Sequence, residues 1–144
     1  MQENKPFQIL VVDDEPPICE LLERVASKLF PEASFINARS AQETIDHLDQ
    51  QAGTPPQLIL LDIDLGSPIS GLDLIPELHT RLKGRTPIIM LTSTNELPIV
   101  QQAYKKGAVA YTRKPDDLEG WRDYVARLRS YWHDTTLLPT VDRP

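Results

Sequence analysis

Four short apolar runs, each stopped by polar residues, organise this chain. Ile9-Leu10-Val11-Val12 stops at Asp13-Asp14, Leu58-Ile59-Leu60-Leu61 stops at Asp62, and Ile88-Ile89-Met90-Leu91 stops at Thr92-Ser93. A fourth run, Ala108 to Tyr111, leads into Lys114-Pro115. Continuous apolar runs of this length, bounded by turn residues, predict strands buried on both faces of a parallel sheet. Helical spacing fills the intervals. Pro16-Pro17 suit a first turn, and Ile18, Leu21, Leu22, Val25 and Leu29 share one face of the helix that follows.

Pro31 ends that helix, and Ser34-Phe35-Ile36 predicts a short second strand. Ser40 and Glu43 read as a capping box opening a second helix, with Ile45 and Leu48 inward. Gly53-Thr54-Pro55-Pro56 breaks the chain before the strand that carries Asp62. A third helix is expected over about Leu72 to Leu82, its regular part starting late, with Asp73 as cap and Pro76 in its first turn. A fourth follows Pro98 and stops at Gly107, and a fifth opens after Asp116-Asp117 and runs to about Trp132. In this last helix Leu118, Trp121, Val125, Leu128 and Trp132 are expected to face the core, leaving Tyr124, Arg127 and Tyr131 as a neighbouring interface stripe. Strand and helix alternate five times, so the expected fold class is α/β: a doubly wound five-stranded parallel sheet with helices on both faces and right-handed crossovers. The expected division is an extension over 1–6, one domain over 7–133 and a tail over 134–144.

In such sheets the carboxyl ends of the strands converge on one crevice, where ligands bind. Asp13, Asp14, Asp62, Thr92 and Lys114 are therefore expected to meet although they lie far apart in sequence. An Asp after a buried strand is often only a turn residue, and Lys-Pro alone carries nothing. Each type at the end of the correct strand in one βα series is what carries information. Two carboxylates ~4 Å apart repel by roughly 4 kcal/mol at an effective dielectric of about 20, so a cation must sit among them or they must protonate. Oxygen ligands without nearby Cys or His select a hard ion, with Mg²⁺ the expected cofactor. Asp62 then has the makings of a nucleophile that forms an aspartyl phosphate, with Lys114 and the Thr92 hydroxyl stabilising charge on the transferred group.

With 144 residues the chain is expected to be one domain without a separate output module. Hydrophobic content of 40% and charged content of 25% are ordinary for a globular chain. Fifteen basic against 21 acidic residues give a net charge of -6, which argues against nucleic acid as a partner. No apolar run approaches membrane-spanning length and no signal-peptide pattern opens the chain, so no membrane association and a cytoplasmic location are expected. The single cysteine, Cys19, is expected to be a packing residue. His47, His79 and His133 lack metal-ligand spacing.

The motifs ILVVDDE, LILLDID, PIIMLTS and GAVAYTRKP, in that order over about Phe7 to Trp132, resemble the receiver domain of two-component response regulators. That resemblance implies a flavodoxin-like (βα)5 fold with strand order 2-1-3-4-5. It implies that Asp62 is the phosphoacceptor, loaded from a phosphohistidine of a sensor histidine kinase and cleared by autodephosphorylation, with no other enzymatic activity. It further implies that Asp14 binds Mg²⁺ directly, Asp13 through water and Asp64 through its backbone carbonyl. Thr92 and Lys114 would contact the phosphoryl group, Tyr111 would be the switch aromatic, and the Lys114-Pro115 peptide would be cis. The ending Tyr131-Trp132-His133-Asp134-Thr135-Thr136-Leu137-Leu138-Pro139 is similar to that of single-domain regulators paired with bacterial phytochrome kinases, which form homodimers through the fourth helix, fifth strand and fifth helix.

The chain departs from the family at Leu65-Gly66-Ser67-Pro68, where Met-Pro and a path one residue shorter are usual, and at Asp64, an acidic side chain where hydrolysis of the phosphoryl group is tuned. Two other classes compete: a receiver-like binding module that is never phosphorylated, and a phosphatase resembling the haloacid dehalogenases, whose Asp-x-Asp opening Asp62-Ile63-Asp64 imitates.

Overall fold

The computed structural model describes residues 6–51, 54–66 and 68–136. Most of the expected N-terminal extension, Gly53, Ser67 and the tail from Leu137 lie outside the described residues. Five strands and five helices alternate: β1 (Phe7–Val12), α1 (Pro16–Leu29), β2 (Ala33–Ala38), α2 (Ala41–Gln50), β3 (Leu58–Leu61), α3 (Gly71–Leu82), β4 (Ile88–Thr92), α4 (Leu97–Lys106), β5 (Ala110–Arg113) and α5 (Leu118–Leu128). All strand pairs are parallel, in the order β2-β1-β3-β4-β5.

The period-two alternation of a strand explains why the three central runs are apolar throughout. Ile9 and Val11 of β1, Leu58 and Leu60 of β3, and Ile89 and Leu91 of β4 join a core against α1 and α5. Their alternate neighbours Leu10, Val12, Ile59, Leu61, Ile88 and Met90 join a second core against α2, α3 and α4. Every one of these side chains is buried, each worth about 1.5–3 kcal/mol of apolar transfer. At the edges, β2 and β5 are only half-buried, which is why their sequences are less apolar.

Local signals set most helix ends. Pro16 and Pro98 open α1 and α4 in their first turns, and Asp117 caps α5 by accepting from the Gly120 N–H at 2.8 Å. At α2, Ser40 accepts from the Glu43 N–H at 3.0 Å, but Glu43 bonds the N–H of Arg39 rather than that of Ser40, so the expected capping box is only half closed. The reciprocal box occurs instead at α3, between Ser70 and Asp73. Asp73 is thus the third helical residue and not the cap. With both ends of that box satisfied, the helix starts at Gly71 and carries Pro76 in its interior.

The fifth helix also differs from expectation. Regular α-helix stops at Leu128 and a π-helical turn, Arg129–Thr135, carries the chain on. Arg129 pairs with Glu32 at 2.6 Å, and the His133 ring packs edge-on against Phe7 and Phe30 at 5.6 and 5.5 Å between centroids. These contacts fasten the turn across the amino end of the sheet. Leu118, expected in the core, is 48% exposed because it lies on the first turn of α5, at the rim of the packed face. Tyr124, expected at an interface, is 6% exposed and belongs to the core with Trp121, Val125 and Leu128. Burial raises the pKa of its phenol. Cys19 is a buried packing residue whose thiol burial pushes up to about 12. Among the described residues no helix is long and apolar enough to cross a membrane.

Candidate phosphorylation site

The ladder itself carries the acids to one place. The Asp62 N–H continues the β3–β1 pairing onto Val12 O at 2.9 Å, and the Asp13 N–H continues β1–β2 onto Ala38 O at 3.0 Å. Both residues therefore sit at the carboxyl rim in register. Asp13, Asp14 and Asp62 each bring a carboxylate oxygen within 4.8 Å of the others. Asp13 is 1% exposed, Asp62 is also buried, and Asp14 is half-buried at the mouth.

Lys114 reaches this cluster from β5. Its ammonium donates to Asp13 Oδ2 at 2.9 Å and to Asp62 Oδ2 at 3.2 Å, with Glu15 Oε1 at 3.5 Å. Its own N–H donates to Thr92 O at 2.8 Å, which ties the ends of β4 and β5 together. All peptide bonds among the described residues are trans, Lys114-Pro115 included. The expected cis bond is absent. The lysine reaches both acids with the trans isomer, which is the lower in energy for X-Pro by about 0.5–1 kcal/mol.

Electrostatics follow from this crowding. Burial raises the Asp13 carboxyl above its ordinary value, although hydrogen bonds from Lys114 and from the Glu15 N–H pull the other way. Burial alone would lower the Lys114 ammonium, but its hydrogen bond to Asp13 and the charge of Asp62 outweigh that and hold it above the usual lysine range. Three carboxylates face one ammonium, so the site has a deficit of positive charge. The donor set is all oxygen, and the residues fit a hard divalent cation.

The other expected residues fall around this centre. Thr92 is buried at the end of β4. Tyr111, half-buried against the α3–α4 side of the core, donates its hydroxyl to Thr94 O at 2.6 Å, gripping the loop that follows Thr92. Burial, then the charges of Asp62 and Glu96, raise its pKa. Asp64 turns its carboxylate back onto the Gly66 N–H at 3.2 Å. Arg127 and Tyr131 are exposed on the far end of the last helix and play no part in the cluster.

A family profile, the response regulator receiver domain, matches residues 9–126. The chain belongs to that family. Receiver domains are phosphoacceptor signalling units of two-component systems, loaded by histidine kinases. Among relatives, the response regulator protein PilR of Pseudomonas aeruginosa is 37% identical over 124 residues, 84% of this chain, and the chain spans about a quarter (26%) of that protein's length. Response regulator Rcp1 of Synechocystis is 28% identical over 146 residues, covering 97% of this chain and 98% of Rcp1. The structure of Rcp1 in its Mn²⁺-bound form superposes with a TM-score of 0.80 at 26% identity, over 94% of this chain and 100% of that one. The phosphorylated cyanobacterial phytochrome response regulator RcpA shares the fold with a TM-score of 0.82 at 23% identity, over 94% and 99%. Membership of the receiver family sets aside the haloacid-dehalogenase-like reading of Asp62-Ile63-Asp64.

Three residues of this receiver site escaped the sequence reading. Asn37 of β2 donates from Nδ2 to Val11 O at 3.0 Å and to Asp13 O at 3.2 Å, bracing the strand end that carries the acids. A single amide one residue before the end of β2 was its signal. Glu15, the last residue of ILVVDDE, joins the Lys114 network. At Gly71 a Cβ would lie 2.0 Å from the carbonyl oxygen of Asp62, so no side chain fits at the start of α3.

Proposed function

We propose that Asp62 is the phosphoacceptor of this receiver domain, taking its group from a phosphohistidine on a sensor histidine kinase. The observation that supports this most is Lys114, held by both Asp13 and Asp62 at the carboxyl ends of β1, β3 and β5. An Asp62 carboxylate oxygen attacks phosphorus, the P–N bond to the histidine breaks, and the imidazole nitrogen keeps the electron pair. Lys114 and the Thr92 hydroxyl are assigned to the equatorial phosphoryl oxygens, where fixed donors meet the growing charge.

Asp13, Asp14, Asp62 and the backbone carbonyl of Asp64 are the residues assigned to Mg²⁺. When bound, the ion neutralises charge on the transferred group and screens the acids from one another. Asp13, braced by Asn37 and the Glu15 N–H, orients Lys114; Asp14, at the mouth, is the more accessible carboxylate. Tyr111, bonded to the loop after Thr92, couples movement of Thr92 to the surface of α4, β5 and α5, a local electrostatic event biasing a two-state element.

That surface carries Leu97, Tyr104 and Leu118 as exposed apolar residues, which supports protein contacts there, including homodimerisation; Arg127 and Tyr131 extend it. Likeness to Rcp1 and to the phytochrome regulator RcpA supports a bacteriophytochrome as the kinase. The proposed domain runs over 7–133, in the cytoplasm, and catalyses only its own phosphotransfer and dephosphorylation.

The test is intact mass after incubation with acetyl phosphate and Mg²⁺. One phosphoryl adduct is expected for the wild type with Mg²⁺, and none for Asp62→Asn or without the metal. No adduct in the wild type, together with no binding of beryllium fluoride, would instead favour a receiver-like module that is never phosphorylated.

A further inference from the structure

We propose that Gly66 is a positioning residue for the metal-binding carboxylate of Asp14, an inference that rests on the divalent-metal reading of the acid cluster. The loop after Asp62 bends through Gly66 at φ 65°, a left-handed conformation, and so lies directly against Asp14. A Cβ built on Gly66 would fall 2.7 Å from Asp14 Oδ2 and 3.8 Å from its Cγ. The same turn points the Gly66 N–H at the Asp64 carboxylate, at 3.2 Å. The loop's conformation and the place of one ligand are therefore set by a single missing side chain.

What yields on adding that side chain matters. Among the described residues, the glycine's chain neighbours aside, nothing else lies within 4 Å of the added carbon, and the Asp14 carboxylate is the end of a side chain at the mouth of the site. The easiest relief is to rotate it away. A methyl group at 66 thus adds the strain of a left-handed backbone and displaces the one acid of the cluster that is not buried. Gly66 stands in the stretch where this chain departs from its family's usual Met-Pro, so the departure reshapes the wall beside Asp14.

Gly84 supplies an internal control. It has nearly the same backbone angle, φ 68°, but an added Cβ there would meet nothing within 4 Å. Gly84→Ala carries the same conformational strain without touching an acid.

The experiment is calorimetric titration of the unphosphorylated protein with Mg²⁺ alone, beside thermal unfolding in chelator, for the wild type, Gly66→Ala and Gly84→Ala. Gly66→Ala is expected to bind Mg²⁺ about tenfold more weakly or worse, the scale on which groups positioning a ligand act, with Gly84→Ala at the wild-type affinity and the two variants unfolding at similar temperatures. Gly66→Asn, which tolerates the left-handed conformation but still carries a Cβ, is expected to lose affinity as well and serves if the alanine variant does not fold. Wild-type affinity in Gly66→Ala or Gly66→Asn, or an equal loss in Gly84→Ala, would overturn the proposal. A wild type that binds no Mg²⁺ would overturn the metal reading itself, and the positioning role with it.

Discussion

Replacing Lys114 by methionine tests the electrostatics of the site most directly. The Lys114 side chain is 10% exposed, and its ammonium bonds two carboxylates whose side chains are more deeply buried, Asp13 at 2.9 Å and Asp62 at 3.2 Å. Methionine keeps the stem and removes the charge, leaving both acids without their cation. Breaking a buried pair from one side costs 3–5 kcal/mol. Asp14 leaves the mouth of the site half-exposed and burial already favours the protonated form of Asp13, so the lower end, about 3 kcal/mol, is expected at pH 7. At about 3 °C per kcal/mol for a chain of this size, the unfolding midpoint should fall by roughly 9 °C in chelator.

The sign with pH is fixed by the direction of the shifts. Lys114 has a raised folded pKa, so its stabilisation is fully present below the unfolded lysine value of about 10.4 and is lost only as pH rises through the folded one. Between pH 5 and 8 the wild type therefore loses nothing from this group. The variant's deficit should shrink as pH falls towards 5, because Asp13, whose pKa burial already raises, takes up a proton once Lys114 no longer pairs with it. Added Mg²⁺ should also narrow it. Differential scanning calorimetry at pH 5 and 8, with and without Mg²⁺, checks all three. A midpoint within about 2 °C of the wild type at pH 7, or a deficit constant across that pH range, would refute the reasoning.

Two further predictions follow from the same geometry. Asp13 has a folded pKa raised chiefly by burial, so its contribution to stability is full below about 3.8 and is lost as pH rises through the higher folded value. Asp13→Asn should accordingly unfold at a higher temperature than the wild type at pH 7 without metal, with the gap closing near pH 3 and Mg²⁺ affinity reduced; a lower midpoint at pH 7 would count against it. Gly71→Ala sets a methyl against the Asp62 carbonyl, at 2.0 Å before relaxation, and should cost about 1–3 kcal/mol in urea unfolding. It should also slow labelling by acetyl phosphate at least about tenfold, since the nucleophile's backbone must shift, and wild-type labelling would contradict that.

Much of the site was readable because its logic is local. Each acid follows its apolar run directly, and parallel strands place their carboxyl ends on one rim whatever the loops do. Tyr124 shows where local reading failed. Positions 121, 124, 125 and 128 form one helical stripe, but a phenol beside Arg127 resembles an interface residue until α1 and the sheet are seen to enclose it. The start of α3 was misplaced for a related reason. Pro76 argued for a late start, and the closed Ser70–Asp73 box outweighed it.

By itself the sequence determined the order of strands and helices, the two-sided burial of β1, β3 and β4, and the convergence of Asp13, Asp62, Thr92 and Lys114. Hydrophobic periodicity and strand direction are properties of short segments, and they suffice for that. Only the tertiary structure decided that Tyr124 joins the buried face of α5 while Leu118 is left exposed, that the last helix ends in a π-helical turn fastened by Glu32 and Phe30, and that Gly66 lies against Asp14. Those outcomes depend on the rotation of packed helices and on loop backbone angles, which are fixed by contacts between residues distant in sequence and leave no period in the chain.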